Sequence, residues 1–148
     1  MCSLRCVVGQ LSVVDGVRHT QAENVLVVEP GSFPHSTRND YGLYTLLELS
    51  GLVPPPSDLM QQLLDVLKDE FYSSSGSVAL SLQNALARVN QALYDFNLEM
   101  ERNERQGGGM TCIAIRGADL YMAQGGPTVA YLIAQGRASR FPERSPWL

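Results

Sequence analysis

The chain has 148 residues, 45% of them hydrophobic and 18% charged, with a formal net charge of −4. This length predicts one domain with a sizeable core, and the composition is that of a globular rather than a disordered chain. With an acidic balance and no basic stripe interleaved with aromatics, nucleic acid and anionic membrane are set aside as partners. No apolar run approaches the ~20 residues of a membrane span.

The N-terminus "MCSLRCVVGQ" (1–10), interrupted by Arg5, reads as a mature start rather than a signal peptide, and "LRCVVGQLSVV" (4–14) is a β-rich run with Gly9 as a bulge. Asp15-Gly16 is a hairpin signal. "ENVLVVEP" (23–30) is the next strand, stopped by Pro30-Gly31. A polar loop follows, then "YGLYTLLEL" (41–49), apolar enough to predict a strand buried on both faces. "GLVPPPS" (51–57) breaks the pattern.

The period then changes. Leu59, Leu63, Val66, Leu67 and Phe71 share one helical face, with Asp58 and Gln61 as a candidate capping box. After "YSSSGS", Val78, Leu82, Leu86, Val89, Leu93, Phe96 and Met100 mark a longer helix of about 35 Å. The short connection makes the two an αα-hairpin. Their stripes read as core packing rather than as partner surfaces, and the serines at 73–75 as linker rather than nucleophiles. "ERNERQGGG" closes the helix. "MTCIAIR" (110–116), "LYMAQ" (120–124), "TVAYLIA" (128–134) and "RASRF" then read as an antiparallel meander with turns at "GAD", "GGP" and "QG". The order βββ–αα–ββββ predicts an α+β fold, two helices on antiparallel sheet.

Cys2, Cys6 and Cys112 fit neither a disulfide framework nor a zinc knuckle. They read as reduced thiols of a cytoplasmic protein. Nothing ties His19 or His35, both in turn or loop positions, to Cys112 as a catalytic pair. "QGGP" (124–127) is tested as a phosphate cradle and fails. Phosphate loops lead into a helix N-terminus, whereas here a strand follows, Pro127 removes an amide and no Lys-Ser/Thr comes after. "QGGG" (106–109) fails because it too precedes a strand.

The motifs say more as a series: "GVRHTQAEN" (16–24), "LYTLLELSG" (43–51), "ALARVNQAL" (85–93), "GGMTCIAIRGADLYMAQGGPTVAYLIAQGRASRFP" (108–142) and "ERSPW" (143–147). In order and spacing, over nearly the whole chain, this series resembles the metal-dependent type 2C (PPM-type) protein serine/threonine phosphatases. The resemblance implies a sandwich of two antiparallel sheets flanked by helix pairs. It also implies phosphomonoester hydrolysis by water held between two Mn²⁺ or Mg²⁺ ions, which demand oxygen ligands.

Carried over position by position, the resemblance places an early metal ligand at Glu23 and a strand-end ligand at Glu48. In both, glutamate stands where the family has aspartate, which keeps the carboxylate but lengthens it. A backbone-carbonyl ligand falls on Leu49, where the family has glycine. The aspartate of the Gly-Asp-Ser motif falls on Gly126 and is lost. The arginine of that motif falls on Val129, and the histidine of a later motif on Arg144, just before Ser145. Arg18 matches the early phosphate-binding arginine, whose guanidinium fork suits a phosphate. The family's remaining aspartates lie in the second half of its domain, and this chain ends at Leu148 before them.

The expectation is therefore a divergent, catalytically inactive phosphatase-like domain, the N-terminal part of the full fold, acting as a binding or regulatory module. It would hold no tightly bound cofactor, and it would meet a protein partner or a second copy through uncovered sheet surface. One alternative is an active Mn²⁺- or Mg²⁺-dependent phosphatase completed by residues outside this chain. Another is a small α+β sensory or scaffolding domain. Without the resemblance, Glu23 is a solvated turn residue and Arg18 a surface arginine beside the turn. Glu48 is harder to dismiss, since a charge in an apolar strand needs a partner or an exit to water.

Overall fold

Asp15 and Gly16 both take left-handed backbone angles (φ 51° and 78°), the pair that a two-residue type I′ hairpin requires. They join β1 (Ser12–Val14) to β2 (Val17–His19), with Val14 opposite Val17. The computed structural model describes residues 6–143, so Cys2, Arg144 and Ser145 lie outside the described residues. Within that range residues 6–11 form no strand. The run expected over 4–14 shrinks to three residues, because a two-stranded ribbon with most side chains in water has little packing to lengthen it. The return arm, β2, is a strand the sequence pattern does not separate from the following turn.

β3 (Val25–Val28), β4 (Gly42–Gly51), β5 (Gln106–Arg116) and β6 (Asp119–Gly125) form one antiparallel sheet in that spatial order. β4 shows the alternation of a strand covered on one face. Leu43, Thr45 and Leu47 are buried, while Leu46 is 41% exposed and Glu48 is exposed. The expectation of burial on both faces is thus corrected: the apolar residues at even positions face outward. β5 starts four residues earlier than expected, at Gln106 rather than Met110, because the glycine tract pairs with the end of β4. At Gly108 a Cβ would lie 2.8 Å from the Glu48 carbonyl oxygen, so only glycine lets the backbones approach there.

α1 (Leu59–Ser73) and α2 (Val78–Glu99) form the expected αα-hairpin. Ser77 caps α2 by accepting from the Leu80 amide at 3.2 Å. α1 has no capping box. Asp58 accepts instead from the Gln62 side chain (2.7 Å), and the Leu59 amide bonds the Pro56 carbonyl (3.1 Å). Both helices lie on the same side of the sheet, α1 against β4 and α2 against β5 and β6. Leu43, Leu63, Leu64, Leu67, Phe71, Leu82 and Cys112 are sealed between the layers. Each such leucine contributes about 1.5–3 kcal/mol of burial.

The loop between β3 and β4 is polar in sequence but anchored in structure. Arg38, only 5% exposed, donates to the carbonyls of Gly76 and Ser77 and to Ser81 Oγ, and lies over the rings of Tyr41 and Phe71. Phe33 stacks on Tyr72 with centroids 4.2 Å apart.

β7 (Ala130–Ala134) and β8 (Arg137–Phe141) pair only with each other, around a second left-handed turn at Gln135-Gly136. The expected meander therefore breaks at "GGP": β6 and β7 are not neighbours. Gly126 turns the chain across Gly108 and Gly109 rather than back along β6, and Thr128 Oγ1 ties it down by donating to the Met110 carbonyl at 3.3 Å. The described order is ββββ–αα–ββββ in a mixed α+β fold, with no described helix long and apolar enough to cross a membrane.

Candidate functional site

Pairing between β3 and β4 runs one rung past its last strand residues, through the Leu47 amide bonding the Asn24 carbonyl at 2.9 Å. Glu23 and Glu48 are the next residues outward on the two segments. Both are exposed, and both line one cleft of about 860 Å³ at this end of the sheet. Leu11 and Val13, from beside and within β1, form one wall, and Leu46 belongs to the sheet wall. Gly108, Gly109 and Pro127 border it on the β5 side.

Of the residues singled out in the sequence, the fold brings Glu23, Glu48 and Leu49 to this cleft. Leu49 also packs its side chain against the core under the helices. Arg18 is not brought there. It stands opposite Val13 in the β1–β2 ribbon, exposed, while the next residue, His19, lines the cleft. His19 reads from sequence as a turn residue, and its place beside the two glutamates follows only from the ribbon's position. Val129 is exposed and forms no part of the cleft.

Gly126 has two constraints at once. Its φ is +72°, and a Cβ there would stand 2.3 Å from the Gly108 carbonyl oxygen and 2.9 Å from the Gly109 Cα. Both neighbours are backbone, so nothing can swing aside. The turn that looked like a phosphate cradle offers no side chain and has no room for one.

A pair of Mn²⁺ or Mg²⁺ ions would need several converging oxygen ligands. Among the described residues no group of three or more His, Cys, Asp or Glu side chains is placed to hold a metal ion. The described residues by themselves do not furnish a two-metal centre. Nor does Cys112 supply a nucleophile: burial pushes its thiol up to about 12, so it is protonated at neutral pH. Burial first, and then the Cys6 thiol and Glu29 beside it, hold the Tyr44 hydroxyl protonated on the outer face of the sheet.

Comparison with protein-family models, with curated proteins and with solved structures returned no match.

Proposed function

We propose that this chain is a divergent type 2C phosphatase-like domain that has lost metal-dependent hydrolysis and serves as a binding or regulatory module. The observation that carries this reading is the packing of Gly126 on Gly108 and Gly109. The position where the resemblance calls for an acidic ligand is closed to any side chain. A four-stranded sheet with a helix pair on one face is compatible with one half of the implied sandwich. The cleft holding Glu23 and Glu48 and the apolar outer face of the sheet are the surfaces available to a partner. Among the described residues Cys6 and Cys112 form no disulfide, which supports the cytoplasmic placement read from the cysteine pattern.

The test combines Mn²⁺ titration by calorimetry with turnover of an aryl phosphate. The expected result is neither Mn²⁺ binding at millimolar metal nor metal-dependent hydrolysis. Hydrolysis that requires Mn²⁺ and disappears in Glu48→Ala would overturn the proposal.

A second reading is an active metal-dependent phosphatase completed by acidic residues from outside this chain. It is favoured by the placement of Glu23 and Glu48 at one end of one sheet. It requires the Gly126 turn to play no part in metal binding, and it predicts Mn²⁺ binding that Glu23→Gln abolishes.

A further inference from the structure

Two surfaces of the molecule match each other. The first is the β7–β8 ribbon. Val129, Tyr131 and Ile133 alternate onto one of its faces, 47%, 63% and 75% exposed, and Arg140 lies directly across from Tyr131 on that same face. A two-stranded ribbon is at best marginally stable alone in water, and an exposed apolar stripe on it calls for a surface to cover it.

The second surface is the cleft at the end of the sheet. Its wall carries Leu11, Val13, Val25 and Leu46, and it also carries Glu23 and Glu48. Neither glutamate has an ion-pair partner among the described residues. An apolar stripe with an arginine, half-buried and donating to the Pro142 carbonyl at 2.9 Å, is thus complementary in character to a surface that is apolar with two carboxylates. A cleft of about 860 Å³ is large enough to admit three such side chains.

The two surfaces are also adjacent in the chain. Pro127 lines the cleft, and β7 begins shortly after it, at Ala130. The ribbon therefore leaves the body at the rim of its own cleft. Within one copy the cleft sits at the ribbon's root, and neither Tyr131 nor Ile133 lines it. A two-fold pair in which each copy offered its ribbon to the other's cleft would be a self-complementary interface that closes on itself.

We infer that the chain forms a two-fold homodimer by reciprocal exchange of its β7–β8 ribbons. Val129, Tyr131 and Ile133 fill the apolar part of the other copy's cleft, and Arg140 pairs with Glu48 and Glu23 there. Electrostatic complementarity fixes the register, while the apolar stripe supplies most of the adhesion. The inference does not rest on any phosphatase likeness, so the metal test above and the test below fail independently.

The test is the mass of the full chain in solution, by light scattering and sedimentation velocity, on the unaltered protein and three variants. The unaltered chain is expected to be a dimer. Ile133→Asp places an unpaired charge in the apolar contact and is expected to yield a monomer. Arg140→Glu alone and Glu48→Arg alone each set like charges opposite in both contacts, so each should weaken the dimer at least roughly tenfold. An equimolar mixture of these two variants has opposite charges in both contacts of the heterodimer and should dimerise again. Ile133 and Glu48 are exposed, so a cooperative melt of each variant near that of the unaltered chain shows that the fold is intact. A monomeric unaltered chain, a dimer untouched by Ile133→Asp, or a charge-swapped mixture that stays monomeric would each overturn the inference.

Discussion

Gly126 and Cys112 respond to substitution and to pH for unrelated reasons. At Gly126 any L-residue meets both a left-handed φ and the Gly108 carbonyl. Gly126→Asp is therefore expected to cost about 2 kcal/mol or more, read as a drop in the denaturant midpoint at constant slope. It should not create Mn²⁺ binding. Burial raises the folded Cys112 thiol to about 12, above its ordinary value of 9.0. A group whose folded pKa is raised contributes stability that is complete below the unfolded pKa. That stability is lost as pH rises toward the folded one. The buried thiol, with Tyr72 also pushed up to about 12 by burial, should therefore make the domain lose stability between about pH 9 and 12. Cys112→Ala should flatten part of that fall, and urea midpoints across this pH range measure it. A thiol reagent at neutral pH is expected to label exposed Cys6 quickly and Cys112 only on unfolding.

The elements that the sequence makes legible are those with long, regular periods. α2 follows its stripe from Val78 onward, and the Asp15-Gly16 and Gln135-Gly136 turns sit where their dipeptides place them. The early start of β5 was not legible. "QGGG" looks like loop on propensity, and only the opposing end of β4 shows why glycines are needed in a strand there. β4 misled in the other direction, since an apolar run does not say which of its faces receives a layer. Of the candidate site, the convergence of Glu23 with Glu48 follows from a hairpin that can be anticipated, whereas His19 and the crossing of Gly126 over Gly108 depend on contacts far apart in sequence. Arg38 was invisible as an anchor because it lies in a stretch composed like loop. Losing its charge-assisted bonds to Gly76, Ser77 and Ser81 in Arg38→Met is expected to cost about 2–3 kcal/mol. Faster amide exchange in the α1–α2 turn than in β4 or β5 would show that the loss is local at first.

For the molecule as a whole, one face of the four-stranded sheet is sealed by both helices and the other is not. Val25, Val27, Tyr44, Ile113 and Met122 remain half-buried there, with Leu46 more open. Leu67, by contrast, is fully enclosed, and Leu67→Ala should destabilise the fold by about 2–5 kcal/mol, seen as a lower thermal midpoint. Stability is therefore concentrated on the helical side, while the exposed apolar surface lies on the opposite side and on the two ribbons. Hydrogen exchange should be slowest in β4 and β5. Protection of β7 and β8 should track the dimer and vanish in Ile133→Asp.

The crossing of Gly126 over the glycine tract also bears on redesign. A metal ligand cannot be installed at this turn by a single codon change, because the obstacle is main chain contributed by another strand. A protein engineer would have to re-register β5 against β4 over 107–109 before an aspartate at 126 could be accommodated, and that shift would loosen the close approach of Gly108 to Glu48. An acidic side chain at position 126 requires a rebuilt sheet end and not a substitution alone.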